Sequence, residues 1–315
     1  MNIGIIGVGG VGGYFGGKIC RQAPLSGAQV CFVARGRHLD AIRANGLQVY
    51  TSAEGNWICR PALATDGMAD LPVLDVCLLC VKSYDLKNAV RALHPKIAES
   101  SLIIPLLNGI DIYDRIREDL ETGSVLPACV YVNTQIESPG KVKQNGGDCK
   151  ILIGKDPQKE EAIPDALFEL FEASNIQYEW FEDVNPVIWK KYLFIAGFSL
   201  VAASFDKTMG QIMDSKRLSD YVLSVMGEIW EISKRMSVEL PDTIVVECYQ
   251  NGGKFDYAAK TSFQRDVEAA HRPDERDLLA GTILRLGRQF GVDTPAVREL
   301  WSILERKKPP SGLTL

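Results

Sequence analysis

The chain has 315 residues, enough for about two domains at roughly 150 residues each and for a sizeable core without disulfide or metal staples. Hydrophobic residues make up 46% and charged residues 24%, which excludes a disordered, collagen-like or disulfide-scaffold chain. With 35 Lys+Arg against 40 Asp+Glu the net charge is −5, a poor footing for unspecific binding to nucleic acid or an anionic membrane.

The start, Met1-Asn2-Ile3-Gly4, has no basic stretch and no cleavage site, so a cytoplasmic protein is expected. Residues 3–6 read as an apolar strand, followed by a glycine-rich turn and a helix over about 11–21. Residues 29–34 are the next strand. Residues 75–81 and 102–107 are further apolar strands, with a helical segment at 86–93 between them. Residues 125–132 read as strand again, and Asn145-Gly146-Gly147 reads as a hairpin turn between 141–143 and 150–153. Strands alternating with helices predict an α/β fold, a parallel sheet covered on both faces.

Past residue 182 the pattern becomes helical. Pro186 suits the first turn of a helix running to about residue 204. Leu218, Val222, Val225, Ile229, Ile232 and Met236 repeat at four- and three-residue steps, one apolar helix face. Further helices are expected over 274–290 and 295–306, with a frayed tail at 307–315. The expected domains are therefore 1–182, a Rossmann-type dinucleotide-binding domain, and 183–315, an all-α domain. The apolar stripes of the second domain suit a homodimer face or its own core equally. The best uncharged apolar run, 192–204, is too short to span a bilayer, so no membrane partner is expected.

Eight cysteines are scattered, and only Cys77 and Cys80 form C-x-x-C. On a strand, residues three apart point to opposite faces, so these two are expected to be inert core thiols. With three histidines in the whole chain, no metal site is expected.

The stretch Ile5-Ile6-Gly7-Val8-Gly9-Gly10-Val11-Gly12-Gly13 is G-x-G-x-x-G directly after a strand and before a helix. In this pattern Gly7 permits the tight turn, Gly9 lets the backbone approach a pyrophosphate, and Gly12 lets helix and strand pack closely. Phosphates sit where the free N–H groups and the positive dipole end of the helix point. Gly7, Val8, Gly9, Gly10, Val11 and Gly12 are the expected cofactor-binding turn. Residues 12–18 also fit a P-loop, but Ile19 stands where magnesium needs Ser or Thr, and Lys18 would fall inside the helix. NAD enzymes place an acid about 20 residues past the glycines. This chain has Arg35 there, followed by Gly36-Arg37. A guanidinium fork matches a 2′-phosphate, so the expected cofactor is NADPH; Arg37 serves equally as a solvated loop residue. Lys82 and Asn108 follow two further strands at the same edge, where ligands of open α/β sheets bind.

Taken together, the glycine motif, Arg35, Val81-Lys82, Leu107-Asn108-Gly109, Trp189-Lys190-Lys191, Thr261-Ser262, Asp266 and Arg272-Pro273-Asp274-Glu275 resemble the ketopantoate reductases (2-dehydropantoate 2-reductases) over nearly the whole chain. The resemblance implies NADPH-dependent reduction of ketopantoate to pantoate, in pantothenate biosynthesis. It implies Lys191, not Lys190, as the catalytic lysine; the residues alone leave the two open. A lysine ammonium can polarise a ketone oxygen and then protonate the alkoxide, and desolvation eases that release. Glu275 is matched to a glutamate at the cofactor–substrate junction. Its spacing from Leu278 and Leu279 independently places it on an inward helix face, near the helix start. Ser262 is matched to the family's substrate serine, and Asn108, from its place at the strand edge, is expected to reach the cofactor and the substrate. Arg272 is a lesser candidate for a substrate carboxylate, and His271 reads as structural or exposed.

The pattern breaks in one place. Well-known members carry asparagines four and eight residues after the lysine, where this chain has Ile195 and Ser199. The spacing from Asp266 to Glu275 is also one residue longer than usual. An isoleucine cannot supply an amide's hydrogen bonds, so a different 2-oxo acid is the first alternative to ketopantoate. A non-catalytic NADPH-binding sensor is the second, needing the glycines and Arg35 but neither Lys191 nor Glu275.

Overall fold

The computed structural model describes residues 1–159, 164–269 and 273–307. Two compact units divide it, Met1–Val184 and Asn185–Leu315. The first unit opens with β1 (Asn2–Ile6), α1 (Gly10–Ser26), β2 (Gln29–Val33), α2 (Gly36–Asn45), β3 (Leu47–Thr51), β4 (Gly55–Cys59) and β5 (Leu63–Thr65). It continues with β6 (Leu74–Leu79), α3 (Ser83–Leu93), β7 (Ile97–Pro105), α4 (Ile112–Arg117), β8 (Ser124–Val125) and β9 (Ala128–Tyr131). It closes with β10 (Thr134–Ser138), β11 (Lys141–Gln144), β12 (Lys150–Gly154), α5 (Asp165–Ala173) and β13 (Gln177–Phe181).

Six strands form one sheet in the order β5-β2-β1-β6-β7-β8, every neighbouring pair parallel. Its central strands are apolar along their length, Ile3, Ile5 and Ile6 with Val76, Cys77, Leu78 and Leu79, because both faces are covered. A second sheet runs β10-β11-β3-β4 and a third β13-β12-β9. Helix α1 packs against both the first sheet and the second. Its glycines make this possible. A Cβ on Gly16 would lie 2.8 Å from Ile5 on one side, and a Cβ on Gly13 2.6 Å from Val142 on the other.

Several expectations are corrected here. Helix α1 runs past the expected residue 21, through Pro24 to Ser26, and ends on Gly27 at φ 68°, whose N–H donates to the Ala23 carbonyl. The strand expected over 125–132 is two strands in two sheets. β8 extends the first sheet beside β7, while β9 pairs antiparallel with β12. The break falls at Leu126-Pro127, where proline lacks the ladder N–H and restricts the residue before it. The hairpin expected at Asn145-Gly146-Gly147 is absent, because β11 pairs with β10 and β3 whereas β12 pairs with β9 and β13. The true hairpin joins β10 to β11 through Pro139-Gly140, with Gly140 at φ 76°. Cys77, buried within β6, and Cys80, half-buried just past its end, are free thiols; the strand stops two residues short of the expected 81, so strand alternation does not describe the pair, and burial pushes both up in pKa.

The second unit contains α6 (Asn185–Phe205), α7 (Met209–Met213), α8 (Lys216–Arg235), α9 (Ile244–Asn251) and α10 (Ser262–Glu268). A π-helical turn over Asp277–Gly281 leads into α11 (Thr282–Phe290), and α12 (Pro295–Lys307) follows. The expected helix 274–290 therefore begins later and with a wider turn. Of the expected frayed tail, 308–315 lie outside the described residues. Helix α6 is long and apolar enough to cross a bilayer, unlike the shorter run read from the sequence. It is nevertheless the core helix of its unit, packed by α8, α9, α10 and α12 with Trp189, Tyr192, Leu193 and Phe198 buried.

Candidate active site

In the first sheet the chain leaves β1 outward to β2 and β5, then returns to β6, β7 and β8 on the other side. The crevice between the carboxyl ends of β1 and β6 is thus a topological switch point, the usual ligand position in such sheets. Backbone bonds lock the segments there. The Gly7 and Val8 N–H groups donate to the Val33 carbonyl at 3.0 and 3.2 Å, Cys80 N–H to Ile6 at 2.8 Å, and Leu106 N–H to Leu79 at 2.8 Å. One edge therefore gathers the Gly7–Gly12 turn, Arg35 after β2, Lys82 after β6 and Asn108 after β7. Lys82 and Asn108 are both half-buried.

The turn has the features a dinucleotide requires. Gly7 sits at φ 95°, and a Cβ there would come 2.8 Å from the Cys80 carbonyl oxygen. A Cβ on Gly12 would lie 2.2 Å from the Gly7 carbonyl oxygen, so helix and turn touch only because position 12 is glycine. Gly9 differs. A Cβ there meets no atom within 4 Å, so packing does not demand glycine at this position. It is the residue before α1, with no side-chain cap, where the first N–H groups of the helix have no intrahelical partner. The chain thus keeps bare backbone where a pyrophosphate needs close approach, and the residues fit a nicotinamide dinucleotide. The P-loop alternative fails here. Lys18 lies in mid-helix, buried, with Nζ 2.5 Å from Glu54.

Arg35 is exposed at the end of β2. Its Nη1 lies 3.5 and 3.4 Å from the two carboxylate oxygens of Asp85, in the first turn of α3. The sequence reading did not single out Asp85, because residues 33–37 and 82–86 are brought side by side only by the β2-β1-β6 order. Arg37 is exposed on α2.

In the helical unit the two lysines separate. Lys190 is exposed and faces Glu247 of α9 at 3.6 Å. Lys191, about 100° further round α6, is half-buried. Ile195 and Ser199 follow it on the same face at four-residue steps, half-buried and buried respectively. The next residue, Tyr192, is buried, and its hydroxyl lies 2.8 Å from the carbonyl oxygens of both Leu278 and Leu279. Both carbonyls belong to the π-helical turn, and the single hydroxyl proton is shared between them. Tyr192 thereby ties the lysine's helix to the segment that follows Glu275. A π-turn is not readable from apolar spacing, so this link was missed.

Glu275 is 8% exposed, just ahead of the π-turn. Its neighbours fix it from both sides. The buried Arg276 holds Asp274 through Nε at 2.9 Å and Nη2 at 2.8 Å, and donates from Nη1 to the Leu304 carbonyl of α12. Ser262 is exposed as the first residue of α10, whose cap is Thr261, accepting from the Gln264 N–H at 3.1 Å. Arg272 and His271 lie outside the described residues.

Comparison with known proteins finds two family matches along the chain. The family "Ketopantoate reductase PanE/ApbA" matches residues 3–158, and its "C terminal" counterpart matches 183–308. The uncharacterized oxidoreductase YkpB of Bacillus subtilis (strain 168) is 25% identical, over 96% of this chain and 97% of its own. The crystal structure of a PanE/ApbA family ketopantoate reductase from Ralstonia eutropha JMP134 superposes with a TM-score of 0.86 at 27% identity, covering 98% of each chain. D-Mandelate dehydrogenase, solved with NADH and anilino(oxo)acetate, has the same fold, with a TM-score of 0.85 at 20% identity over 98% of each chain.

Proposed function

The chain belongs to the ketopantoate reductase PanE/ApbA family, nicotinamide-dependent 2-oxo acid reductases, and from that premise we propose that it reduces a 2-oxo acid with NADPH. Ketopantoate is the first substrate, which would place the enzyme in pantothenate biosynthesis. In this reading residues 1–182 hold the cofactor and 183–315 carry the proton donor. The observation that carries the reading is the Gly7–Gly12 turn at the switch point, with bare backbone at Gly9 and Arg35 at the end of the adjacent strand. Gly7, Val8, Gly9, Gly10, Val11 and Gly12 would line the pyrophosphate, Arg35 would meet the 2′-phosphate, and Lys82, Asn108 and Glu275 would contact the rest of the cofactor.

When bound, the cofactor supplies hydride to the carbonyl carbon. Lys191 donates a hydrogen bond to the carbonyl oxygen and delivers a proton as alkoxide charge develops. Glu275, held by the buried Asp274–Arg276 pair, fixes the lysine's surroundings. Asn108 and Ser262 position the acid. One observation favours a second substrate. Ile195 and Ser199 share the Lys191 face, so the site offers one apolar side chain and one small hydroxyl where two amides would suit a hydroxylated oxo acid.

The test is NADPH oxidation with ketopantoate and a panel of 2-oxo acids carrying smaller, larger and more apolar side chains, each repeated with NADH. Turnover on ketopantoate above all others supports the first substrate. Turnover at least tenfold better on an apolar oxo acid assigns the second. No turnover on any acid, with NADPH still bound, contradicts the reductase reading and leaves a cofactor-binding sensor.

A further inference from the structure

The ribose end of the proposed cofactor site carries two opposite charges. NAD enzymes place a carboxylate at the end of the second strand, where it accepts from the ribose 2′-hydroxyl. Here that position is Arg35, but a carboxylate reaches the same spot from another element. Asp85 stands in the first turn of α3 with both oxygens within 3.5 Å of the Arg35 guanidinium. The pair is long and solvent-exposed, with Arg35 70% and Asp85 34% accessible, so it surrenders the arginine readily to a better ligand.

We infer that Asp85 is a selectivity-determining residue that narrows this chain's preference for NADPH over NADH. The inference rests on the placement of the 2′-phosphate at Arg35. A phosphate bound to that guanidinium brings its negative charge to roughly 5–6 Å from the Asp85 carboxylate. Two anions at that separation in a wet site repel by an amount worth about a fivefold change in affinity after salt screening. A 2′-hydroxyl suffers no such repulsion and can donate to the carboxylate instead. Arg35 therefore favours the phosphorylated cofactor, and Asp85 takes back part of that preference while keeping the unphosphorylated one usable.

Three proteins decide this: wild type, Asp85→Asn and Arg35→Ala, each compared by dissociation constants for NADPH and NADH from quenching of tryptophan fluorescence. Asparagine keeps the shape and removes the charge. Asp85→Asn is expected to tighten NADPH about fivefold and to change NADH less than about twofold, with the NADPH gain shrinking at 1 M salt. Arg35→Ala is expected to weaken NADPH at least tenfold. If Asp85→Asn leaves the NADPH/NADH ratio unmoved while Arg35→Ala still weakens NADPH, the role of Asp85 is overturned and the NADPH placement stands. If Arg35→Ala leaves NADPH binding intact, the placement itself fails.

Discussion

Single residues carry most of the chemistry, and the structure sorts equivalents that the sequence presents side by side. Lys190 and Lys191 are one such pair; burial and the Lys190–Glu247 contact distinguish them where spacing could not. Gly9 and Gly12 are another. Both belong to the same motif, yet Gly12 is required by packing and Gly9 is not. Gly12→Ala is expected to lose about 3 kcal/mol, at the upper end for overpacking, because its Cβ would lie 2.2 Å from the Gly7 carbonyl oxygen and force backbone to shift. Gly9→Ala is expected to lose less than about 1 kcal/mol, yet to weaken NADPH at least tenfold. Urea unfolding of both, with NADPH titration of Gly9→Ala, checks the separation. The opposite assignment, Gly9 structural and Gly12 indifferent, would contradict the geometry. The roles of Gly7 and Gly12 were legible in the sequence because backbone demands map directly onto glycine. The contacts of Asp85 and Tyr192 were not, since each meets a partner far away in the chain.

Helices and strands were legible where apolar runs are long. The strands β1, β2 and β6 and the helix α8 stand close to their expected places, whereas β7 runs Ile97–Pro105 and so starts five residues before the expected 102. Short strands with polar edges, β3, β4, β5, β10 and β13, lack that signal and were not foreseen. The misplaced hairpin has a physical source. Gly146 and Gly147 do bend the chain, at φ 85° and 93°, but turn chemistry cannot say which strands then pair. Element ends are also joined by single buried carboxylates. Asp156 accepts from Arg117, from the Tyr113 hydroxyl and from the Val125 N–H, tying α4 and β8 to the end of β12. Glu228 of α8 accepts from the Ala296 and Val297 N–H groups at 2.7 and 3.1 Å and so caps α12. Burial raises the Glu228 carboxyl above its usual 4.5, against the pull of those two N–H groups. A carboxyl raised on folding binds its proton more tightly in the folded state. Its contribution is therefore fullest below about pH 4.5 and is partly lost as pH rises through the folded value. Glu228→Gln removes that titration while keeping the one full acceptor that a protonated carboxyl offers. It is expected to cost less than about 1 kcal/mol near pH 4 and to become less costly still near pH 7. Urea melts of both proteins across pH 4–7 read the difference, and a cost that grows with pH would contradict the assignment.

For the whole molecule, the two units correspond to two jobs in the proposed reaction, cofactor binding in the first and proton donation in the second. In the sequence the pattern changes from alternating strands and helices to long helices near residue 183. The reaction class was legible through motifs that chemistry constrains tightly. The identity of the oxo acid was not, because Ile195 and Ser199 depart from the family's amides. The proposed reaction turns on Lys191 as proton donor. The decisive comparison is Lys191→Ala with NADPH and the best acid of the panel, measuring single-turnover NADPH oxidation beside the NADPH dissociation constant, with Lys190→Ala as the control. The expected result is a rate at least 100-fold lower in Lys191→Ala with cofactor binding within about twofold, and a rate within about threefold of wild type in Lys190→Ala. A Lys191→Ala protein that turns over normally, or a Lys190→Ala protein that binds NADPH but does not, would contradict it.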